Sequence, residues 1–385
     1  MPLALFAAIC LVAAELGQLI LVPNVGAVLP AFWPLIGVLV GTLMLSPRRR
    51  WWTLVLTACS VMMLSNVALH GRPVVSGIIF SCVAGLEAFA VVLLVHHRID
   101  RSFALNRISH TWTLVVASMI IPLAGGAVAS SSLLFAGFSS SFFDGWRAWW
   151  LADALGMLVA APLTIAAVTR RVVLAEIVSS WKALEIVIVF AGCAVVAVGV
   201  FGEALDPLVR VPAYVLPFLL WPVFRFGPGG SSAAIFMVSL IGLWNAARGQ
   251  GPFALVGLPV ENLVLRSQGA MAISAVSFLL LASVVAERKR VAHEYAMLVA
   301  ELQQAMAEIK TLRGFIPICA WCHKVRDDAG FWQQIEMYLD ARTDATFSHS
   351  ICPVCSDVAR NEIAEFEARI KQSGPSWNAS QSEVK

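Results

Sequence analysis

Ala282-Ser283-Val284-Val285-Ala286-Glu287-Arg288-Lys289-Arg290-Val291, inside residues 270–322, decides how this chain is built. Upstream of Glu287 the chain is apolar for long enough to cross a bilayer, and four residues then carry charge. Downstream, apolar or small residues recur at Val291, Tyr295, Leu298, Leu302, Ala305, Ile309 and Leu312. Their spacings alternate four and three, the a/d seam of a heptad repeat held for about three heptads. Glu294, Glu301, Gln303, Gln304, Glu308 and Lys310 sit mostly off the seam. The stretch is expected to be one helix that leaves the membrane at the charged girdle and stops at the pair Cys319-Ala320-Trp321-Cys322.

The rest of the chain divides around it. With 59% hydrophobic and only 13% charged residues among 385, and a mean hydropathy of +0.80, the solvent to reason with is lipid. Windows of roughly 20 apolar residues fall near 3–22, 27–46, 51–69, 74–95, 111–135, 148–168, 184–201, 211–224, 231–247 and 268–286, which predicts about ten spans. Residues 1–22 lack a basic leader and a cleavage site of small residues, so they are expected to stay as a span. Arg48-Arg49-Arg50, Arg98/Arg101/Arg107, Arg170-Arg171/Lys182 and Arg288-Lys289-Arg290 all lie on one side under this count. The positive-inside rule makes that side the cytoplasm and places both termini there. The opposite loops are short and hold isolated basic residues such as Arg72, Arg147 and Arg210.

Strongly polar groups within the spans are few: Glu15, Gln18, Asn66, Glu87 and Asp153. A charge at membrane depth costs at least ~2.5 kcal/mol on insertion scales, so such groups face the bundle interior and find partners. All but Glu87 fall in the half away from the basic loops, and Glu87 falls near the middle. They fit either a polar cavity that holds a ligand or ion, or interhelical hydrogen-bond glue. With the interfacial aromatic residues Trp33 and Trp149 they form the candidate intramembrane sensing set.

Phe32-Trp33-Pro34 with Gly37, Asn66, Glu87, Trp149-Trp150 with Asp153-Ala154-Leu155-Gly156-Met157 and Pro162, and later Arg225-Phe226-Gly227, occur in that order. Together they resemble the bacterial membrane-associated sensor domain of the first type, an integral membrane input module that precedes signalling output domains. Leu35, where a second proline is often found, is the one departure. The resemblance implies sensing and names no stimulus.

Beyond the heptads, Cys319-Ala320-Trp321-Cys322-His323 and Cys352-Pro353-Val354-Cys355 form two CxxC pairs. Each can present two thiolates to one ion, and Zn²⁺ prefers four S or N ligands. About 45 residues are too few for a self-sufficient core, so a structural Zn²⁺ held by Cys319, Cys322, Cys352 and Cys355 gives the segment a reason to fold. Phe331, Trp332, Ile335, Tyr338 and Leu339 have helical spacing and are expected to form its small core. His323 or His349 could replace a cysteine. CxxCH also matches a haem-attachment pattern, and CxxC a thiol redox pair; haem attachment belongs outside the cytoplasm, and thioredoxin-like chemistry needs a βαβ context absent here. The tail further resembles a small cysteine module at the C-terminus of bacterial sensory and response-regulator proteins. That likeness rests on Ile316-Pro317-Ile318-Cys319, Val325-Arg326-Asp327-Asp328 with Gly330-Phe331-Trp332, and Phe347-Ser348-His349 with Ile351-Cys352-Pro353. His323 stands where that pattern more often has lysine. Asp327, Asp328, Glu336, Asp340, Asp344, Asp357, Glu362 and Glu365 outnumber the basic residues of the tail, against nucleic-acid binding.

The expected organisation is therefore an all-α polytopic membrane protein. A sensor domain at 1–286 is followed by a coiled-coil helix at 287–313, a zinc-ribbon-like module at 314–360 and a mostly disordered polar tail at 361–385. No kinase nucleotide-binding motif, GGDEF or EAL signature, Walker loop or nucleophile elbow occurs, so no enzyme is expected. The expected protein is a sensor of the bacterial inner membrane. It contacts lipid, pairs with a second copy through 291–312 along Tyr295, Leu298, Leu302, Ile309 and Leu312, and hands its signal to a cytoplasmic signalling protein. The alternative from another class is a transporter with a regulatory tail.

Overall fold

In the computed structural model, described for residues 2–22, 29–99, 103–135, 141–169, 181–203, 205–206, 210–254, 257, 259–308, 316–327, 329–343 and 346–372, the chain is almost entirely helical. Helices are what the composition demands: in hydrocarbon every backbone N–H and C=O must be paired within its own segment. Two compact units result, Met1–Tyr295 and Ala296–Lys385.

In the first unit, α1 (Leu3–Gln18) leads to a short antiparallel ribbon, β1 (Leu21–Val22) with β2 (Leu29–Pro30). Then come α2 (Pro34–Met44), α3 (Trp51–Met63), α4 (Val74–Arg98), α5 (Ile108–Phe135), α6 (Phe142–Thr169), α7 (Trp181–Phe201), α8 (Leu216–Ala247) and α9 (Val260–Glu308). Every residue of α2 is buried. At 11 residues it is only about 16 Å long, half a bilayer core, so it serves as the axle on which α1, α3, α4 and α6 pack. Pro34 at its first turn costs no hydrogen bond there and presets the helical φ. Outward faces carry exposed Leu56, Leu86, Val195 and Ile273. Such surface is tolerable only where the surroundings are apolar.

Among the described residues, seven helices are long and apolar enough to cross a membrane, and α1 and α2 are shorter apolar helices. The expected ten full-length spans are not reproduced: the windows at 3–22 and 27–46 hold helices of only 16 and 11 residues, α1 and α2. Those at 211–224 and 231–247 are the two helical halves of α8, which Gly227 separates with φ 66° and ψ −157°. Side-chain contacts show what that break does. Arg225 pairs with Glu185 near the start of α7, whereas Tyr214 and Gly242 both lie beside the far end of α7, next to Val200 and Phe201 respectively. The chain therefore runs down α7, turns at Gly227 and returns, a reversal that the left-handed φ of glycine permits.

The second unit contains the end of α9, an antiparallel ribbon β3 (Val325–Arg326) with β4 (Trp332–Gln333), a short α10 (Ile335–Asp340) and α11 (Pro353–Gln372). Its core differs from the expected one. Phe331 and Trp332 lie at the ribbon, 72% and 48% exposed, while Val325 and Tyr338 are the buried pair. Gly330, at φ 90°, makes the turn, and Asp327 Oδ1 accepts from the Phe331 N–H; this turn chemistry defeats the helical spacing read across it. Helix α11 runs on to Gln372, through the first part of the segment expected to be disordered. Its Asp357–Arg360 and Glu365–Arg369 pairs at helical spacing accompany that extension.

Candidate functional site

The polar groups read from the sequence are drawn together at the end of the bundle opposite the Arg48–Arg50 turn. The cause is local. At the end of α3 the chain widens into a π-helical turn over Leu64–Leu69 and buries Ser65 and Asn66. Such turns insert one extra residue and recur at functional sites. Ser65 Oγ donates to Glu15 Oε1 at 2.7 Å, and His70 Nε2 lies 3.6 Å from Glu15 Oε2. Gln18 Nε2 donates to Asn66 Oδ1 at 3.0 Å, and Arg72 donates to Gln18 Oε1 at 3.1 Å. Two adjacent networks result, Glu15 with Ser65 and His70, and Gln18 with Asn66 and Arg72, joined through the neighbours Ser65 and Asn66.

Deeper in, Trp149 Nε1 donates to Glu87 Oε1 at 3.1 Å, and the Asp153 carboxyl interacts directly with that of Glu87. Glu87 and Asp153 are 4% and 3% exposed. Their second oxygens, Glu87 Oε2 and Asp153 Oδ2, are buried without a hydrogen-bond partner. Gly125 makes room for this group: a Cβ there would sit 1.6 Å from Glu87 Oε1. A cavity of about 30 Å³ adjoins Asp153, bounded also by Trp33, Asn66, Arg72, Phe80 and Trp149 among others. Trp33 reaches it because α2 and α6 cross at backbone contact. A Cβ on Gly156 would lie 2.1 Å from the Trp33 carbonyl oxygen, and one on Gly37 2.2 Å from that of Gly156. At the same crossing the Trp33 N–H donates to the Ala152 carbonyl at 3.3 Å.

Helix α9 is bonded to this bundle at several depths. Gln268 Nε2 donates to the Ala31 carbonyl at 2.7 Å, and Ser283 and Thr111 hydroxyls pair at 2.8 Å. At the girdle, Glu287 Oε2 accepts the Ile108 N–H at 2.9 Å, placing a carboxylate on the positive end of α5. Lys289 Nζ donates to the Phe224 carbonyl at 2.7 Å, close to the break at Gly227. Beyond it the seam is uncovered: Tyr295, Leu298 and Leu302 are 69%, 61% and 61% exposed. Ile309 and Leu312 lie outside the described residues, as do Arg101, Arg170, Arg171, Asp328 and Asp344.

Each CxxC turn is formed. Cys319 N–H donates to the Lys324 carbonyl at 2.9 Å and His323 N–H to the Cys319 carbonyl at 3.0 Å, His323 taking a left-handed φ of 55°. The backbone N–H of Cys322, then that of Trp321, holds the Cys319 thiol below its ordinary pKa. The N–H of Cys355, directed at Cys352 Sγ at 3.4 Å, does the same for Cys352. The donor chemistry of each pair suits zinc. The two pairs do not converge, however, and among the described residues no group of three or more His, Cys, Asp or Glu side chains could hold a metal.

Fold and site define a polytopic helical membrane protein with a polar cluster sealed inside its bundle. Residues 1–289 match the family model of MASE1, a membrane-associated sensor domain, and the chain belongs to that family. Searches of curated proteins and of solved structures found no match. The match ends at the girdle, so the cysteine module lies outside it.

Proposed function

We propose that this protein is a non-enzymatic sensor of the bacterial inner membrane, with both termini in the cytoplasm. A stimulus acts on the polar cluster around Glu87 and Asp153, and α9 carries the change out of the membrane. A small cysteine module, whose separate Cys319/Cys322 and Cys352/Cys355 pairs a Zn²⁺ would draw together, presents it to a cytoplasmic signalling partner. Zinc would supply only structure here, tying two turns that a small core cannot hold. A parallel homodimer through residues 291–312 covers the exposed seam and makes a shift of α9 legible to the module. Sensing by a MASE1 domain is the family's character; the relay is inferred from the chain's own geometry.

The observation that carries this proposal is the continuity of α9. One helix of 49 residues runs from Val260 to Glu308, and inside the bundle its polar side chains grip the strap before α2 and the start of α5. A helix bonded in this way cannot ignore a rearrangement of its neighbours. The test places a nitroxide amino acid at Leu298 of the full chain in nanodiscs and measures the distance between the two labels of a dimer. The expected result is one narrow distribution that moves when Glu87→Gln alters the cluster. A distribution unchanged by that substitution would remove the relay, and the absence of any inter-label coupling would remove the dimer.

A further inference from the structure

What the cluster detects can be narrowed by size and charge. The cavity beside Asp153 measures about 30 Å³. One water needs roughly 10–15 Å³ by the same measure, whereas organic ligands occupy pockets of roughly 300–1,000 Å³. The space therefore takes an ion, a water or two, and nothing larger.

Charge then selects among ions. Asp153, from α6, and Arg72, at the turn ahead of α4, line the cavity, and Glu87, from α4, lies behind Asp153 with the two carboxyls in direct contact. Glu15 and His70 pair with each other at 3.6 Å, outside the cavity's lining. With both deep carboxyls ionised, the one guanidinium of the cavity answers one negative charge, and the other stays unmatched at a depth where an unpaired ion is costly. Glu87 Oε2 and Asp153 Oδ2 receive no donor from any other group, and the two carboxyls meet each other, so the pair holds together only with a positive charge on or between them. Asp153, 3% exposed, also lines the cavity. Trp33, Phe80 and Trp149 wall the site, and aromatic faces favour a desolvated cation.

We propose that the Glu87–Asp153 carboxyl pair, which meets this cavity through Asp153, binds one small monovalent cation, a proton or an alkali metal ion such as Na⁺. The proposal deepens the sensory function and rests on it. The protein would then report the cation activity on the face of the membrane away from its basic loops.

Full-length protein in nanodiscs of neutral lipid, with choline replacing sodium at constant ionic strength, gives two readouts on the unmodified chain. One is binding of radioactive sodium by scintillation proximity, and the other is proton uptake against an indicator dye as pH is lowered. Saturable sodium binding near one ion per chain, displaced by acid, assigns the site to an alkali ion. Absent sodium binding, a proton taken up by the wild type but not by Glu87→Gln or Asp153→Asn assigns it to the proton. Glu294→Gln, on α9 beyond the girdle and paired with Arg290, should keep either response. Size-exclusion elution verifies each variant's fold, and should Asp153→Asn fail to fold, the wild type and Glu87→Gln suffice. The absence of both saturable sodium binding and a proton that differs between wild type and Glu87→Gln would overturn the proposal. That outcome leaves the helix relay to the separate Leu298 measurement.

Discussion

Adding one methyl group at Gly156 should loosen the whole bundle. A Cβ there would stand 2.1 Å from the Trp33 carbonyl oxygen, and carbon and oxygen approach without strain only to roughly 3.3 Å. Backbone atoms of α2 and α6 would therefore have to part by about 1 Å. The Trp33 N–H to Ala152 bond, already 3.3 Å long at that crossing, would be lost. Overpacking a tight core costs about 1–3 kcal/mol and a lost hydrogen bond about 1 kcal/mol. Gly156→Ala should thus destabilise the fold by about 2–4 kcal/mol, a shift of roughly thirty- to a thousandfold in the unfolding equilibrium. Gly269 is the matched control: it is also helical, on α9, and a Cβ there meets nothing within 4 Å. Gly269→Ala should be neutral or stabilising by up to about 1 kcal/mol. Unfolding in mixed micelles of increasing SDS content, followed by tryptophan fluorescence, compares the two. Equal midpoints for both variants would refute the close crossing of α2 and α6.

Trp149→Phe keeps an aromatic ring beside Phe80 but removes the donor to Glu87 Oε1. An acceptor left unpaired in a buried site should cost about 1–3 kcal/mol, measured by the same unfolding assay. Gln268→Leu removes the bond from α9 to Ala31; in a double-mutant cycle with Glu87→Gln, read as the Leu298 label distance, the two effects should be non-additive, and simple additivity would show that this bond carries nothing. Purified protein should contain about one zinc per chain by elemental analysis, lost in Cys352→Ser. After chelation, alkylation followed across pH should show Cys319 and Cys352 reacting ahead of a free thiol. A lowered thiol pKa means that the thiolate is already present at a pH where an ordinary cysteine remains protonated.

The residues that stood out in the sequence did so because they broke the local rule. Glu87 and Asp153 are acids in apolar runs, and Trp33-Pro34 and Gly156 interrupt helical monotony; each proved to lie at the α2–α6 crossing or beside its cavity. Arg72, Ser65 and His70 were not legible in the same way. Arg72 read as an isolated loop cation. The π-helical turn that buries Ser65 leaves no compositional trace, since one added residue per turn changes neither hydropathy nor period enough to register. Gly125 was equally silent, because nothing in the sequence places it against Glu87. Phe331 and Trp332 misled because five apolar residues over nine positions satisfy a helix and a ribbon alike, and the Gly330 turn decided between them.

A chain of direct bonds links the acids to the exit helix. Asp153 follows Ala152, whose carbonyl accepts from Trp33; Trp33 is two residues beyond Ala31, whose carbonyl accepts from Gln268 on α9. Each link is either covalent or a hydrogen bond to backbone, so α6 cannot shift against α2 without straining the hold on α9. The close approach at Gly37 and Gly156 leaves no slack at that crossing to absorb such a shift. Spatial continuity alone does not establish coupling, but it dictates where coupling must be sought. Near the other end of the span, Ser283 and Glu287 fasten the helix to the start of α5. Under the proposed relay, a small displacement at the upper attachment would become a tilt or rotation of the helix about the lower. The seam beyond the girdle, at Tyr295, Leu298 and Leu302, is where that rotation would be felt.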